Sequence, residues 1–221
     1  VLAASNDLPD LFVTGTQEYI EKYVDQGILK NIDDVIAEQG VTSISDEDRQ
    51  AILNLTKLDA MYVMPTNKNI EGIFKDNGLD VPKTMDEFMD VCAKLSDAGI
   101  QPMAVAGKEQ WPLTRLIGAY ATQAGGNDLL VKANAGEVSW KDDAFLEAYK
   151  WIAEMGEKGY MGEGMTTVDS DTQNSLFTSG MAAMCYNGSW FTESLSSDQN
   201  TLGENVGFFA FPTVKDGKGT A

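Results

Sequence analysis

Apolar positions along the chain follow two rhythms. One is a three-to-four-residue spacing that lays a stripe along a helix; the other is a short unbroken run that suits a strand covered on both faces. Ile20, Tyr23 and Val24 share a helical face closed by Gly27. Asn31 is placed to cap a second helix that reaches Gln39 and ends at Gly40, and Ser45 to cap a third, Asp46 to Leu55, whose acidic first turn suits the helix dipole. Thr84-Met85-Asp86-Glu87 reads as a capping box, in which Thr84 caps and Glu87 reaches back. The helix it opens puts Phe88, Val91, Cys92 and Leu95 on one stripe and stops at Gly99. A further helix is expected from Leu113 to Gln123. The longest, capped by Asp142 or Asp143, carries Phe145, Ala148, Tyr149, Ile152 and Met155 at helical spacing. Strands are expected at Leu11–Val13, Met61–Met64 (stopped by Pro65), Ile100–Ala106 (broken by Gly107), Met181–Tyr186 and Val206–Val214, with Pro212 suiting an edge or a strand end.

The stretch Asp171–Trp190 organises the rest. Asp171 caps a helix running to Gly180, Met181–Tyr186 is a buried strand, Asn187-Gly188 is a turn signal, and Ser189 caps a new helix start. Helix, strand and helix with almost no loop is α/β winding, and in open α/β sheets ligands sit beyond the carboxyl ends of the strands. Asn187, Gly188 and Trp190 fall there.

Composition narrows the function classes. A chain of 221 residues holds one large domain or two modest ones, and 43% hydrophobic residues with four Trp support a packed core. Sixteen basic residues against 34 acidic give a formal net charge of −18, which argues against nucleic acid and anionic membrane surfaces as partners. There is no histidine, so Ser-His-Asp and Cys-His catalysis and most catalytic zinc sites are excluded. Cys92 and Cys185 lack CxxC spacing and read as small buried hydrophobes. No dinucleotide fingerprint, Walker loop or Ca²⁺ loop is present, so neither cofactor nor metal is expected. No apolar run approaches the ~18 residues of a membrane helix. No signal peptide is apparent, the chain opens inside a hydrophobic phrase, and it closes on a Lys215–Gly219 loop; a piece of a longer protein is expected.

The ordered phrases NDLPDLFVTG, YVMPTN, GLDVPKTMDEF, AGIQPMAV followed by a Trp-Pro loop, DDAFLEAYKWIAEMGEKGY, SLFTSGMAAMCYNGSW and VGFFAFPTV span nearly the whole chain. Together they resemble the extracellular solute-binding proteins of bacterial ABC importers, the class typified by maltose-binding protein. The resemblance implies an α/β, two-lobe periplasmic-binding-protein-like (type II) fold, with lobe one incomplete (residues 1–66) and lobe two nearly complete (67–221). It implies a non-enzymatic, extracytoplasmic component, periplasmic or lipid-anchored on the outer face of the membrane. Such a component binds a carbohydrate, an oligosaccharide, in an interlobe cleft by hinge closure, and its partners are that carbohydrate and the membrane permease subunits. The chain departs from the pattern at one place: the aromatic-rich strand that relatives carry between a phrase like Asn69–Gly72 and one like Ile73–Gly78 is missing, and here the two phrases abut.

Sugars offer hydroxyls at the ring rim and C–H groups on the ring face. A sugar site therefore needs flat aromatics with carboxamides or carboxylates around them. Trp190 is the first candidate, since the matching Trp in the resembled family is a sugar platform. Asn187 follows at the strand end, then Trp111 with Gln110 and Glu109 in the loop before Pro112. From lobe one come Thr14, Gly15 and Thr16, and from the crossing segment Thr66, Asn67 and Asn69. Trp140 and Trp151, in or beside the long helix, read as core. Two rival readings remain: a glycoside-active enzyme, for which Glu109 with Glu71 is the only carboxylate pair on offer, and a binding protein for a polyamine or other cation, which the acidic balance permits.

Overall fold

In the computed structural model the described residues are 9, 12–13, 17–40, 44–64, 71–76 and 80–220. The chain divides into two compact units, Val1–Lys68 and Asn69–Ala221.

The described part of the first unit is helical: α1 (Gln17–Asp25), α2 (Ile32–Gln39) and α3 (Asp46–Thr56). Local chemistry starts two of them as expected, since the Asn31 side chain accepts from the Asp33 amide and Ser45 Oγ from the Asp48 amide. The expected strand at Met61–Met64 does not form. Its backbone is used elsewhere: the Ile32 amide donates to the Met61 carbonyl at 2.7 Å, and the Met61 amide donates to Asp33 Oδ2 at 3.0 Å. Arg49 holds the same carboxylate through two 2.8 Å bonds. The Arg49 guanidinium, and then the Met61 amide, keep the Asp33 carboxyl below its usual range. The expected strand at Leu11–Val13 is likewise not seen in its described residues: Phe12 and Val13 are not in a strand, and Phe12 packs edge-on against Tyr23.

The second unit is built on a four-stranded sheet in the order β2-β3-β1-β4, where β1 is Glu71–Asp76, β2 Gln101–Ala104, β3 Ala182–Gly188 and β4 Val206–Phe209. β2 and β3 are parallel; β1 is antiparallel to both β3 and β4, so the sheet is mixed. β1 runs through the junction at which the sequence suggested a lost strand, and it is central. Its Lys75 is buried opposite Gly207, where an added Cβ would stand 3.2 Å from Lys75 Cε. β3 is buried along its whole length, as its apolar run predicts. Met184 and Tyr186 join Phe88, Cys92 and Leu95 of α4 (Met85–Asp97) and Trp151 and Met155, while Cys185 packs with Phe177 and Phe191.

The Thr84–Glu87 capping box forms as read, and α4 ends before Gly99, which takes φ 75°. The next helix, α5 (Trp111–Gly125), starts earlier than expected; α6 (Leu129–Asn134), which the sequence did not suggest, follows, then α7 (Asp143–Glu157), capped by Asp142. Ala121, Leu129, Ala133, Phe145 and Ala148 bring these three helices together. The last helices are α8 (Ser170–Thr178) and the short α9 (Thr192–Leu195).

Three local expectations fail here. The cap of α8 is Asp169 rather than Asp171, its carboxylate accepting from the Thr172 amide. Asn187-Gly188 is not a turn: the pair continues β3 opposite Gly72 and Glu71, so strand pairing overrides the dipeptide. The turn begins one residue later as a 3-10 segment, Ser189–Phe191, with Gly188 at its start and no side-chain cap. The last strand stops at Phe209 instead of Val214, because the Thr213 amide donates to the Lys83 carbonyl and the Thr213 carbonyl accepts from Met85, tying this segment to the start of α4.

Candidate functional site

β2 and β3 run parallel, so their carboxyl ends lie at one edge of the sheet. The chain leaves β2 through Val105 and Ala106 toward α5, and leaves β3 at Gly188 toward α9. Each exit carries a tryptophan. The Trp111 and Trp190 rings stand 6.1 Å apart at an interplanar angle of 61°, and each residue is 41% exposed. Residues far apart in sequence thus meet as an edge-to-face indole pair open to solvent.

Trp111 is the first residue of α5, not part of a preceding loop, and Pro112 occupies the first turn, where its missing N–H costs nothing. Gln110 precedes it at φ 65°, a left-handed conformation uncommon for a residue with a side chain. The loop is held from behind. The Gly107 amide donates to the Met165 carbonyl at 3.1 Å and the Lys108 amide to Val168 at 3.0 Å. Lys108 Nζ pairs with Asp169 at 3.0 Å, and the Ser170 amide donates to Glu109 Oε1 at 3.3 Å. The Thr172 hydroxyl and the Lys108 ammonium hold the Asp169 carboxyl well below the usual carboxylate range.

Trp190 is placed by its neighbours. Phe191 is buried against Phe177 and anchors the 3-10 turn. The indole lies back over Gly188: an added Cβ there would stand 2.1 Å from Cζ3 and 2.3 Å from Cη2 of Trp190. Only a residue without a side chain leaves that room. Asn187 is buried, and its carboxamide is engaged within the protein: Nδ2 donates to Asn174 Oδ1 at 2.9 Å, and Oδ1 accepts from the Gly188 amide at 3.0 Å. Behind it, burial pushes the Cys185 thiol up to about 12.

Of the sequence candidates, the structure therefore brings Trp111 and Trp190 together, puts Glu109 and Gln110 in the loop that sets Trp111, and puts Asn187 beneath the turn that sets Trp190. Thr14, Gly15, Thr16, Thr66, Asn67 and Asn69 lie outside the described residues. Trp151 is buried, as read, but Trp140 is 48% exposed and rests on Phe145 with ring centroids 4.9 Å apart. Sequence reasoning missed Gln173 and Asn174 of α8. Gln173 is buried beside the strand ends, and the signal for it was a polar residue four positions before Phe177, on that residue's apolar face.

What the site offers is indole surface rather than reactive groups. Among the described residues no group of three or more Cys, Asp or Glu is placed to hold a metal ion. Two half-exposed indoles present apolar faces suited to the C–H faces of a flat ligand, and each carries an N–H donor.

Known proteins share this architecture. The chain is 27% identical to the maltotriose-binding protein of Pyrococcus abyssi over 214 residues, 95% of this chain and 43% of that protein. A chitin oligosaccharide binding protein superposes with a TM-score of 0.79 at 27% identity, covering 88% of this chain and 50% of that one. Maltose-bound MalE3 of T. maritima superposes with a TM-score of 0.72 at 18% identity, over 86% of this chain and 49% of that one, a likeness of fold alone. The mixed α/β fold is thus that of the maltose-binding-protein-like two-lobe proteins, and the chain spans half or less of the length of these relatives. The profile of the bacterial extracellular solute-binding proteins, a family of binding proteins rather than enzymes, matches residues 1–221, and the chain belongs to that family.

Proposed function

We propose that this chain is the ligand-recognising part of an extracytoplasmic substrate-binding component of an ABC importer, and that its ligand is an oligosaccharide. The observation that carries this reading is the Trp111–Trp190 pair: two indoles, 41% exposed each, at the ends of neighbouring parallel strands. Exposing that much indole lowers stability unless a ligand covers it, and a sugar ring has the flat C–H face that does so. Relatives named for maltotriose and for chitin oligosaccharide support the same ligand class.

In this reading residues 1–66 belong to one lobe and 67–221 to the other. Ligand favours a closed state by touching both, and the closed pair of lobes is what the permease subunits meet. The protein works outside the cytoplasm, in the periplasm or anchored by lipid to the outer membrane face. Turnover is not expected, since Glu109 has no described carboxylate partner and accepts from the Ser170 amide instead.

Isothermal titration calorimetry of the full chain with malto-, chito- and xylo-oligosaccharides, and with spermidine as the cation control, tests the proposal. Saturable one-to-one heat with one oligosaccharide class and none with spermidine is the expected result. Heat with spermidine alone, or released products in the sugar samples, contradicts it.

A further inference from the structure

We infer that Gln173 is a positioning residue that sets the geometry of the two indoles from beneath, by tying together the strand ends from which they emerge. Gln173 is 3% exposed. Its Oε1 accepts from the Ala106 amide at 2.7 Å, and its Nε2 lies 3.5 Å from the Tyr186 carbonyl, to which it donates. Ala106 is just past the last paired residue of β2, and Tyr186 is next to the last paired residue on β3, Cys185. The carboxamide therefore continues the ladder between two parallel strands by one rung at the point where they diverge. Five residues beyond the first contact is Trp111; four beyond the second is Trp190.

The same helix makes the neighbouring ties. Asn174, one residue on, accepts from Asn187 Nδ2, and Asp169, at the cap, holds Lys108. Thus the first turns of α8 contact both tryptophan-bearing exits, and Gln173 is the one side chain that bonds to both. Only a carboxamide serves here. It supplies one acceptor and one donor in a fixed plane, whereas a carboxylate has no donor and an aliphatic side chain has neither. Leaving the Ala106 amide and the Tyr186 carbonyl buried without partners would let the two exits relax separately. The indole pair itself contains no contact to Gln173, so the effect is transmitted through backbone.

The structural half of this inference stands on the bonds above; its consequence for ligand rests on the carbohydrate reading. Trp111 and Trp190 are the one indole–indole pair among the described residues. Their exciton couplet in the far-ultraviolet circular dichroism is isolated as the wild-type spectrum minus that of Trp190→Phe. In Gln173→Leu, which keeps the size and removes both bonds, the couplet is expected to lose more than half its amplitude. In Gln173→Glu, which keeps the acceptor for Ala106 and drops the donor, the loss is expected to be smaller. Either variant suffices should the other fail to fold, folding being judged by a cooperative melt. An undiminished couplet in a folded Gln173→Leu or Gln173→Glu overturns the inference. Oligosaccharide affinity is expected to weaken about tenfold in Gln173→Leu, the scale of one aromatic stacking contact. If the couplet collapses while Trp190→Phe itself leaves sugar binding unchanged, the positioning role stands and the carbohydrate reading fails.

Discussion

Gly188→Ala isolates the pose of one indole from the stability of the fold. The backbone at 188 is extended, φ −110° and ψ 177°, so an alanine fits it without strain. The strand cannot give way easily, because Gly188 pairs with Glu71 and its amide donates to the buried Asn187 side chain. The new methyl would nevertheless stand 2.1 Å from Trp190 Cζ3, where ordinary contact begins at 3.4 Å. The half-exposed ring is free to move outward, and it must retreat by more than about 1 Å. Two consequences separate cleanly. Stability changes little, within roughly 0.5 kcal/mol, or about 2 °C in Tm. The edge-to-face contact with Trp111 is lost, and with it a stacking contribution of about 0.5–1.5 kcal/mol to any ligand seated on the pair, a two- to tenfold weaker Kd. The assay is a thermal melt, a tryptophan emission spectrum and an oligosaccharide titration on the same sample. An unchanged emission spectrum together with an unchanged Kd refutes the reasoning, since the indole would then not lie where Gly188 makes room. A collapse in Tm refutes it differently, by placing the clash in the strand.

Two further perturbations are read on stability. Thr84→Ala removes the Thr84 Oγ1 acceptor of the Glu87 amide and half of the capping box; it is expected to cost about 1 kcal/mol and lower Tm by roughly 2–4 °C, measured by calorimetry. Asp169→Asn bears on pH: the folded-state carboxyl is held below its ordinary range by the Thr172 hydroxyl and Lys108, so its stabilising contribution is full above about pH 4 and disappears as pH falls through the lowered value. The Tm gap between wild type and Asp169→Asn is therefore expected to be flat from about pH 7 to 5 and to close below about pH 4. A gap that widens on acidification contradicts the assignment.

Features written in adjacent residues were legible in the sequence. Asn31, Ser45 and Thr84 cap helices because a side chain and an amide two or three positions away satisfy each other, whatever the rest of the chain does. Where two such signals compete, spacing alone does not choose: Asp171 was the expected cap of α8, and Asp169 takes the place, also reaching Lys108 across the chain. β1 was illegible for a different reason. Glu71–Asp76 mixes charges with Gly, Ile and Phe in no clean alternation, and its central position comes only from pairing with β3 and β4, more than a hundred residues away. The same pairing converts Asn187-Gly188 from an expected turn into strand. At the site, the identities of Trp111 and Trp190 stood out, but their meeting at 6.1 Å depends on the parallel register of β2 and β3, which no local pattern encodes. Gln173 shows the limit from the other side: one polar residue on an apolar helix face hinted at a buried duty without naming its partners.

The most direct measurement is a tryptophan fluorescence titration of the full chain with an oligosaccharide panel, run in parallel on the Trp111→Phe and Trp190→Phe variants. A saturable change with one glycan class, reduced in each single variant and absent in the double variant, is what the indole pair predicts. If no glycan alters the emission, or if the double variant responds as the wild type does, then the exposed indoles are not a saccharide platform.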